Sequence, residues 1–391
     1  MALTCLSRPH RTSQAARLLD RSRYITRTLH RLPAVLPALA VVAALGSCGT
    51  NTPEETVSGG SPPGQVTPGC FTGGQTPQLD LFGPDPDWTW NDPHLLKVGG
   101  QYRMYASATD NFVPPVLIYR LVSGNGSSWT RNPATPVLTE SGGGEWDAHS
   151  AETPAVVIYG GQYHLFYTGY TNQADTATYA IGHATSPDGI TFTKDPANPI
   201  AAPTGNPFPT YAEFDQFIVA EPAPVVVGGK LRLYFTALGV DLDLANTLQT
   251  IGMIEFDGTS WSAPVQVLKP DQAVYPRTAD WLGYSTPNAT VLGGEVHLFV
   301  DVAHQPDGGA WTQRALHHAR SANGLTGWIQ DGAPIFVRED FAWTARGIRS
   351  PAPLLDGTKL RLYFAGDSLT VLPPQPGENF GIGMATCNLG L

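Results

Sequence analysis

The sequence has few charged residues, few cysteines and none of the common nucleotide or nucleophile motifs. Asp, Glu, Lys and Arg make up only 14% of the 391 residues, and there are four cysteines. No Cys/His group has the spacing of a zinc site, and no Walker loop, dinucleotide-binding loop or Gly-x-Ser-x-Gly motif occurs. These absences argue against a zinc protein, a nucleotide-binding enzyme and a serine hydrolase.

Glycine and proline are abundant instead, with 42 and 35 residues. This composition is typical of many short strands joined by tight turns, and a long helix is hard to place anywhere after residue 50. Aromatic residues make up 10% of the chain, which is enough apolar area for a large core. The composition therefore favours an all-β protein.

One phrase occurs five times: a proline, a short apolar stretch, a Gly-containing turn and an alternating aromatic strand. Its prolines are Pro93, Pro154, Pro222, Pro287 and Pro351. The near-constant spacing of a β unit predicts a five-bladed β-propeller, with one blade per repeat. The fifth repeat ends before a fourth strand, so we expect residues between Cys70 and Phe82 to complete the last blade and close the ring.

The N-terminal region indicates export. Seven arginines precede the apolar stretch Leu32–Leu45, which is too short to span a bilayer. The ending Leu45-Gly46-Ser47-Cys48 resembles a bacterial lipobox, in which Cys48 is lipidated; the alternative is an ordinary secretory signal cut near the same place. We therefore predict a signal peptide at 1–47, a flexible Pro/Gly/Ser/Thr-rich tether at 48–76 and a propeller domain at 77–391.

Export has consequences for charge, partners and cysteines. Removing residues 1–47 leaves 16 basic and 32 acidic residues, a net charge of −16, which argues against nucleic acid as a partner. We expect a monomer outside the cytoplasm that contacts the membrane through its lipid anchor only. Cys70 and Cys387 lie at the two ends of the folded region, and an oxidising compartment favours a disulfide between them.

The innermost strand of a propeller blade lines the central channel, and the proline phrase comes first in each repeat. The residues before the prolines should therefore surround one opening on the axis. They are Asp92, Thr153, Glu221, Thr286 and Ser350, and Asn91, Glu152 and Arg349 come one position earlier in their blades. Charged groups in a channel mouth are unfavourable unless they are paired or functional, so this cluster predicts a site.

The arrangement resembles the five-bladed propeller glycoside hydrolases of family 43 and the related family 32, over nearly all of the chain from about Trp88. Trp90-Asn91-Asp92-Pro93 is similar to the Asp-Pro motif of their first blade, and Glu221 matches their third-blade Glu. The resemblance implies that Asp92 is the general base and Glu221 the general acid. Their placement two blades apart favours inversion, which needs carboxyl groups about 6.5–9.5 Å apart.

The second blade departs from the family 43 pattern. Those enzymes have an aspartate after the proline that orients the acid and tunes its pKa, but this chain has Ala155 there. We expect Glu152 to replace it, with Asp147 as the alternative, although strand alternation turns a residue two positions before a proline away from the channel unless a bulge intervenes.

The remaining candidates are substrate-binding residues near the predicted channel mouth. Trp90 and Trp146 are placed to stack on a sugar ring or to serve as core, His94 to face the channel, and Asp147 to bind substrate or cap a turn. Arg349 either binds substrate or pairs with Glu152 or Glu221. We predict no cofactor, and the resemblance leaves a structural calcium ion open.

The sequence thus predicts a glycoside hydrolase whose partner is a carbohydrate: an arabinoside, xyloside, fructoside or galactoside. The alternative is a non-catalytic carbohydrate-binding lipoprotein on the same scaffold, which the second-blade departure favours. A phosphorolytic enzyme would need a basic phosphate pocket, and near the channel this acidic chain offers little beyond Arg349.

Overall fold

The computed structural model describes residues 66–75, 88–110, 114–172, 178–205, 213–241, 246–274, 281–304, 312–368 and 379–389. These residues are mainly β-strands, with short 3₁₀ helices at Pro68–Cys70, Arg338–Asp340 and Ala342–Thr344. Within them, no helix has the length and apolar character needed to cross a membrane. The predicted signal peptide and Cys48 lie outside the described residues.

Three blades each contain four strands, and neighbouring strands within a blade are antiparallel. Blade 1 holds β2 to β5 at Trp88–Val98, Gln101–Asp110, Leu117–Ser123 and Thr130–Arg131. Blade 2 holds β6 to β9 at Ser150–Tyr159, Gln162–Tyr170, Ala180–Ser186 and Thr193–Lys194. Blade 3 holds β10 to β13 at Ile218–Val227, Lys230–Asp241, Asn246–Phe256 and Val265–Leu268.

The last two blades complete the ring. Blade 4 holds β14 to β18 at Trp281–Leu292, Glu295–His304, Thr312–Ser321, Ile329–Gln330 and Phe336–Val337. Blade 5 holds β19 to β21 at Gly347–Asp356, Lys359–Ser368 and Asn379–Asn388, and its outer strand is β1 at Phe71–Gly73. The predicted five-bladed propeller, closed by an N-terminal strand in the last blade, is therefore confirmed.

Covalent and packing contacts reinforce this closure. Phe71 pairs with Cys387, and the predicted disulfide joins Cys387 to Cys70, with their Cα atoms 5.0 Å apart. Val66 and Phe71 are both buried in the core cluster between blades 4 and 5. The folded region thus begins by Val66, earlier than the predicted boundary at residue 77, because the closing strand needs these residues.

Apolar clusters fill the junctions between neighbouring blades. At the junction of blades 5 and 1, for example, Trp90 and Leu95 belong to the same cluster as Leu354 and Tyr363. This junction between the two chain ends is packed like the others, so the ring presents its inner strands around one continuous axis.

Candidate active site

The residue before each repeat proline has a backbone conformation that strands rarely adopt. Asp92, Thr153, Glu221, Thr286 and Ser350 have φ between 45° and 57°, in the left-handed region. At the same point, each inner strand shifts register against the second strand of its blade, which marks a β-bulge. All five blades therefore carry the same kink, and we call these five residues the kink residues.

The kink determines which side chains of the inner strand line the site and which are buried in the core. Strand alternation argued against Glu152 because it lies two residues before Pro154. The bulge removes that objection, since Glu152 lines the same cavity as Glu221. Trp90 lies three residues before Pro93, and its side chain is buried in the core instead.

Two cavities meet at Glu221. The axial pocket has a volume of about 20 Å³ and is lined by the kink residues, their prolines, His94 and Asn288. The side cleft, between blades 2 and 3, has a volume of about 230 Å³ and is lined by Glu152, Thr168, Tyr179, Ile218, Ala220, Glu221, Thr236 and Gln249. Asp92 therefore belongs to the axial pocket, Glu152 to the side cleft, and Glu221 to both.

Hydrogen bonds between neighbouring blades hold four of the kinks. In each, a side-chain oxygen on the second strand of one blade accepts the backbone N–H of the kink residue in the next. The pairs, at 2.8 to 3.0 Å, are Ser107 with Thr153, Thr168 with Glu221, Thr236 with Thr286, and Asp301 with Ser350. Such strained conformations are unfavourable by about 1–3 kcal/mol each and persist only where their surroundings fix them.

Asp92 has partners that stabilise its ionised form. Its Oδ1 accepts a hydrogen bond from Oγ of Ser350 at 2.7 Å. Burial raises the pKa of Asp92, while hydrogen bonds from Ser350 and Ser107 and the charge of Arg349 oppose that rise. The carboxylate can therefore accept a proton while it remains anchored.

Glu221 is poised between its two protonation states at neutral pH. Burial and, second, the negative charge of Asp301 raise the pKa of Glu221 to about 7. Its Oε2 accepts hydrogen bonds from Oγ1 of Thr236 at 2.6 Å and from the N–H of Thr286 at 2.8 Å. The carboxyl can thus hold a proton, and two donors stabilise the charge that it acquires on losing it.

Glu152 lies close enough to the other two acids to be affected by both. Burial, followed by the charge of Asp92, raises the pKa of Glu152 to about 8, and the charge of Glu221 also contributes. Tyr170 donates a hydrogen bond to its Oε2 at 3.1 Å. Glu152 is therefore mainly neutral at pH 7, and its predicted part in tuning the acid stays a prediction.

Asp301 is a fourth buried acid at the site, and sequence reasoning missed it. Its Oδ2 accepts the N–H of Ser350 at 3.0 Å, and its Oδ1 accepts a hydrogen bond from Ser285. Burial raises the pKa of Asp301. The sequence did contain a signal for this residue. At the position of Asp301 in the repeat, the other four repeats have Ser107, two threonines and an alanine.

Two further predicted residues lie beside the acids. His94 lines the axial pocket; its Nδ1 accepts the N–H of Val156 at 3.2 Å, and burial lowers its pKa to about 4, so it is neutral. Asn91 has a buried Oδ1 with no partner among the described residues, and it adjoins Asp92 in sequence. Their substrate-binding roles stay predictions.

Arg349 pairs with an acid that the sequence analysis did not consider. Its Nη2 lies 3.2 Å from Oδ1 of Asp367. Burial raises the pKa of Asp92 and of Asp301, and the charge of Arg349 opposes that rise. Arg349 therefore partly balances the acidic cluster from blade 5.

Three other predicted site residues, which also line neither cavity, have partners in the core. Trp90 packs edge-on against Tyr119 in the core. Trp146 packs on Tyr167, and Asp147 is fully buried, where it accepts hydrogen bonds from Nζ of Lys194 at 2.6 Å and from the hydroxyl of Tyr167 at 2.9 Å. These contacts favour the structural alternative for all three, and the substrate-binding role stays a prediction.

The aromatic wall beside the acids consists of other residues. Tyr170 stacks on Tyr179 with ring centroids 4.3 Å apart, and the ring centroid of His149 lies 5.4 Å from that of Tyr170. No repeated motif marks Tyr179 or His149, so sequence comparison among the blades offered no signal for them.

No group of three or more His, Cys, Asp or Glu side chains arranged to hold a metal ion occurs in the described ranges. Calcium takes six to eight oxygen ligands, and the axial pocket of about 20 Å³ offers carboxylates that hydroxyls and N–H groups already occupy. The described residues around the axial pocket do not form a calcium site, and we derive no step through an ion.

Solved structures with a similar architecture include several glycoside hydrolases. A structure described as a glycoside hydrolase matches with a TM-score of 0.61 and 15% identity, covering 82% of this chain and 92% of that one. A thermostable family-43 glycoside hydrolase matches with a TM-score of 0.56 and 16% identity over 79% and 92%. The endo-arabinase from Bacteroides thetaiotaomicron matches at 0.52 and 17% over 75% and 93%.

The chain has the fold of the propeller glycoside hydrolases. No protein-family model and no curated protein matches the sequence. At these identities the likeness establishes the propeller fold, and the chemistry must be argued from the site itself.

Proposed function

We propose that this propeller is a glycoside hydrolase that uses Asp92 as general base and Glu221 as general acid. The observation that carries the proposal is that these two carboxyl groups, 129 residues apart in the sequence, line one axial pocket from blades 1 and 3. Paired carboxyl groups on opposite sides of a bond are what glycoside hydrolysis requires. The similarity in fold to solved glycoside hydrolases supports the same reaction class.

The environments of the two acids suit different roles. Glu221, with a pKa of about 7, retains a proton for a large part of the time at neutral pH and can donate it to the leaving oxygen. Burial raises the pKa of Asp92, and donors from Ser350 and Ser107 and the charge of Arg349 oppose that rise. These contacts support Asp92 as the proton acceptor.

The proposed reaction proceeds by direct displacement with inversion. Asp92 takes a proton from a water molecule whose oxygen bonds to the anomeric carbon. The glycosidic C–O bond breaks, and the leaving oxygen takes the proton of Glu221. Thr236 and Thr286 then stabilise the new Glu221 carboxylate. The axial pocket of about 20 Å³ exceeds the ~10–15 Å³ that one water requires, which supports a water beside Asp92.

Two neighbouring acids have supporting roles in this proposal. Asp301 raises the pKa of Glu221 by its charge, which keeps the acid protonated. Glu152, hydrogen-bonded to Tyr170, adds a neutral carboxyl at the wall of the side cleft. Together they take the place of the aspartate that Ala155 replaces in the second blade.

The natural substrate that we propose is a neutral arabinoside, xyloside, fructoside or galactoside. We propose that the protein acts on it outside the cytoplasm. The proposal of a lipid-anchored monomer rests on the sequence of residues 1–48, which lie outside the described part of the chain.

Replacing each acid tests the chemistry. We expect Asp92→Asn and Glu221→Gln to reduce kcat on a panel of aryl glycosides by about 10²–10⁴-fold, the usual contribution of general acid–base catalysis, with sugar binding retained. Glu295→Gln is the matched control, because Glu295 forms a surface ion pair with Arg320. A wild-type protein that binds sugars and cleaves none of the panel would instead indicate the carbohydrate-binding lipoprotein.

A further inference from the structure

The side cleft contains a buried side-chain oxygen that no described residue satisfies. Gln249 is 3% exposed and lines the cleft, and its Oε1 accepts no hydrogen bond within the described part of the chain. Leaving a buried acceptor unpaired is unfavourable by about 1–3 kcal/mol. An acceptor maintained in that state at the wall of a cavity is available to a hydroxyl group that enters the cavity.

The backbone at Gln249 is held in place from both sides. Gln249 lies on β12 opposite Leu238, and it also forms a parallel bridge to Gly283 at the start of blade 4. A Cβ atom on Gly283 would lie 2.1 Å from the carbonyl oxygen of Gln249, so only glycine permits this approach. The side chain of Gln249 therefore projects from a fixed position.

The other walls of the cleft match the surfaces of a sugar ring. Tyr179 forms one wall and is backed by the stacked ring of Tyr170, while Ile218 and Ala220 supply apolar surface. A sugar ring presents hydroxyl groups at its edge and C–H groups on its faces. An amide acceptor combined with an aromatic wall therefore suits such a ring, and about 230 Å³ is room for one.

The position of Glu221 tells which fragment of the substrate would occupy the cleft. Glu221 lines both cavities, whereas Asp92 lines the axial pocket and is not among the cleft residues. If Glu221 is the acid, the group that receives its proton departs on the side of Glu221 that faces away from Asp92. That side is the side cleft.

We propose that the side cleft is the subsite for the leaving-group sugar, with Gln249 accepting a hydrogen bond from one of its hydroxyls and Tyr179 packing on its face. This assignment rests on the proposed function, because it uses Glu221 as the acid. It identifies a specificity residue on the third strand of blade 3, away from the repeated proline phrases.

The charge of the cleft also selects the sugar. Glu152 and Glu221 lie in its wall, and its lining residues include no Lys, Arg or His. The carboxylate of a uronate would be buried in this cleft without a cationic partner, which is unfavourable. The leaving-group sugar is therefore a neutral one.

A comparison of two substrates with the same glycosyl group tests this subsite. One is the nitrophenyl glycoside, whose leaving group has no sugar hydroxyls; the other is a disaccharide with a neutral leaving-group sugar. We expect Gln249→Leu to lower kcat/KM for the disaccharide about tenfold, which is the value of one hydrogen bond. For the nitrophenyl glycoside, kcat/KM should change less than about twofold. Gln162→Leu, at an exposed turn of blade 2, is the matched control.

The outcomes separate this proposal from the proposed function. If Gln249→Leu lowers kcat/KM equally for both substrates, or for neither, the proposed subsite is overturned while hydrolysis stands. A wild type that cleaves neither substrate would overturn hydrolysis, and the cleft is then tested by titrating arabinose, xylose, galactose and galacturonate into the wild type and Gln249→Leu. Binding of a neutral sugar that the variant weakens supports the cleft as a sugar site; equal behaviour of the two proteins, or preference for galacturonate, overturns it.

Discussion

The hydroxyl of Thr236 donates a hydrogen bond to Oε2 of Glu221 at 2.6 Å, and both residues belong to blade 3. The same hydroxyl accepts the N–H of Thr286 in blade 4 at 2.9 Å. One side chain thus joins the proposed acid to the kink of the next blade. The ionised form of Glu221 is stabilised by the same contact that orients the inner strands.

Thr236→Val removes this donor and keeps the size and branching of the side chain. Because the hydrogen bond lowers the pKa of Glu221, its loss should raise that pKa from about 7 by roughly one unit. The basic limb of the pH profile of kcat/KM, where the acid loses its proton, should move to higher pH. An unchanged basic limb would mean that Thr236 does not affect the ionisation of Glu221.

Asp301→Asn should move the same limb in the opposite direction. The charge of Asp301 raises the pKa of Glu221, so an amide at this position lowers it and the acid loses its proton at lower pH. The amide oxygen can still accept the N–H of Ser350, which keeps the kink in place. The measurement is the pH profile of kcat/KM beside that of Thr236→Val; shifts of the two variants in the same direction would contradict the assignment.

Glu152→Gln should make the protein more stable in alkaline solution. The pKa of Glu152 is about 8 in the folded state, above its ordinary value of 4.5, so the folded state binds more protons between these values and stability falls as pH rises through them. Without this ionisation, the variant should gain about 1–3 kcal/mol in free energy of unfolding at pH 8.5 and less at pH 5.

Urea unfolding of Glu152→Gln and Glu295→Gln at the two pH values checks this expectation. A gain of the same size at pH 5 and pH 8.5 would mean that Glu152 affects stability through packing and not through its charge.

Replacing Cys70 and Cys387 by serine should weaken the closed ring. The disulfide joins residues 317 positions apart, so its removal frees the unfolded chain from a very long loop. We expect a loss of about 2–5 kcal/mol in free energy of unfolding. Thermal unfolding with and without a reducing agent measures it: the reductant should lower the Tm of the wild type to that of the variant, and a variant as stable as the oxidised wild type would exclude a stabilising role.

The repeat made the fold predictable, because five prolines at near-constant spacing specify both strand order and blade number. The closing strand followed from the missing fourth strand of blade 5. The predicted boundary at residue 77 leaves out Val66 and Cys70, because the segment around them reads as a polar tether, and it is contact with blades 4 and 5 that buries Val66.

The site was less predictable, since the kink depends on tertiary contacts. A residue before proline is ordinarily extended, and regular alternation then places Glu152 away from the channel. The β-bulge at each kink interrupts this alternation, so that Glu152 lines the side cleft and Trp90 is buried in the core. Gln249 lies on a third strand, where no motif points to the cleft.

The five identical kinks separate the architecture of this ring from its chemistry. The backbone turn precedes a proline in every blade, and in four of them the neighbouring blade also binds it, so each of the five positions presents its side chain to the same axial pocket. Evolution can therefore exchange Thr153, Thr286 or Ser350 individually and alter reactivity without redesigning a blade. One ring of sheets can in this way present different sets of side chains at its centre.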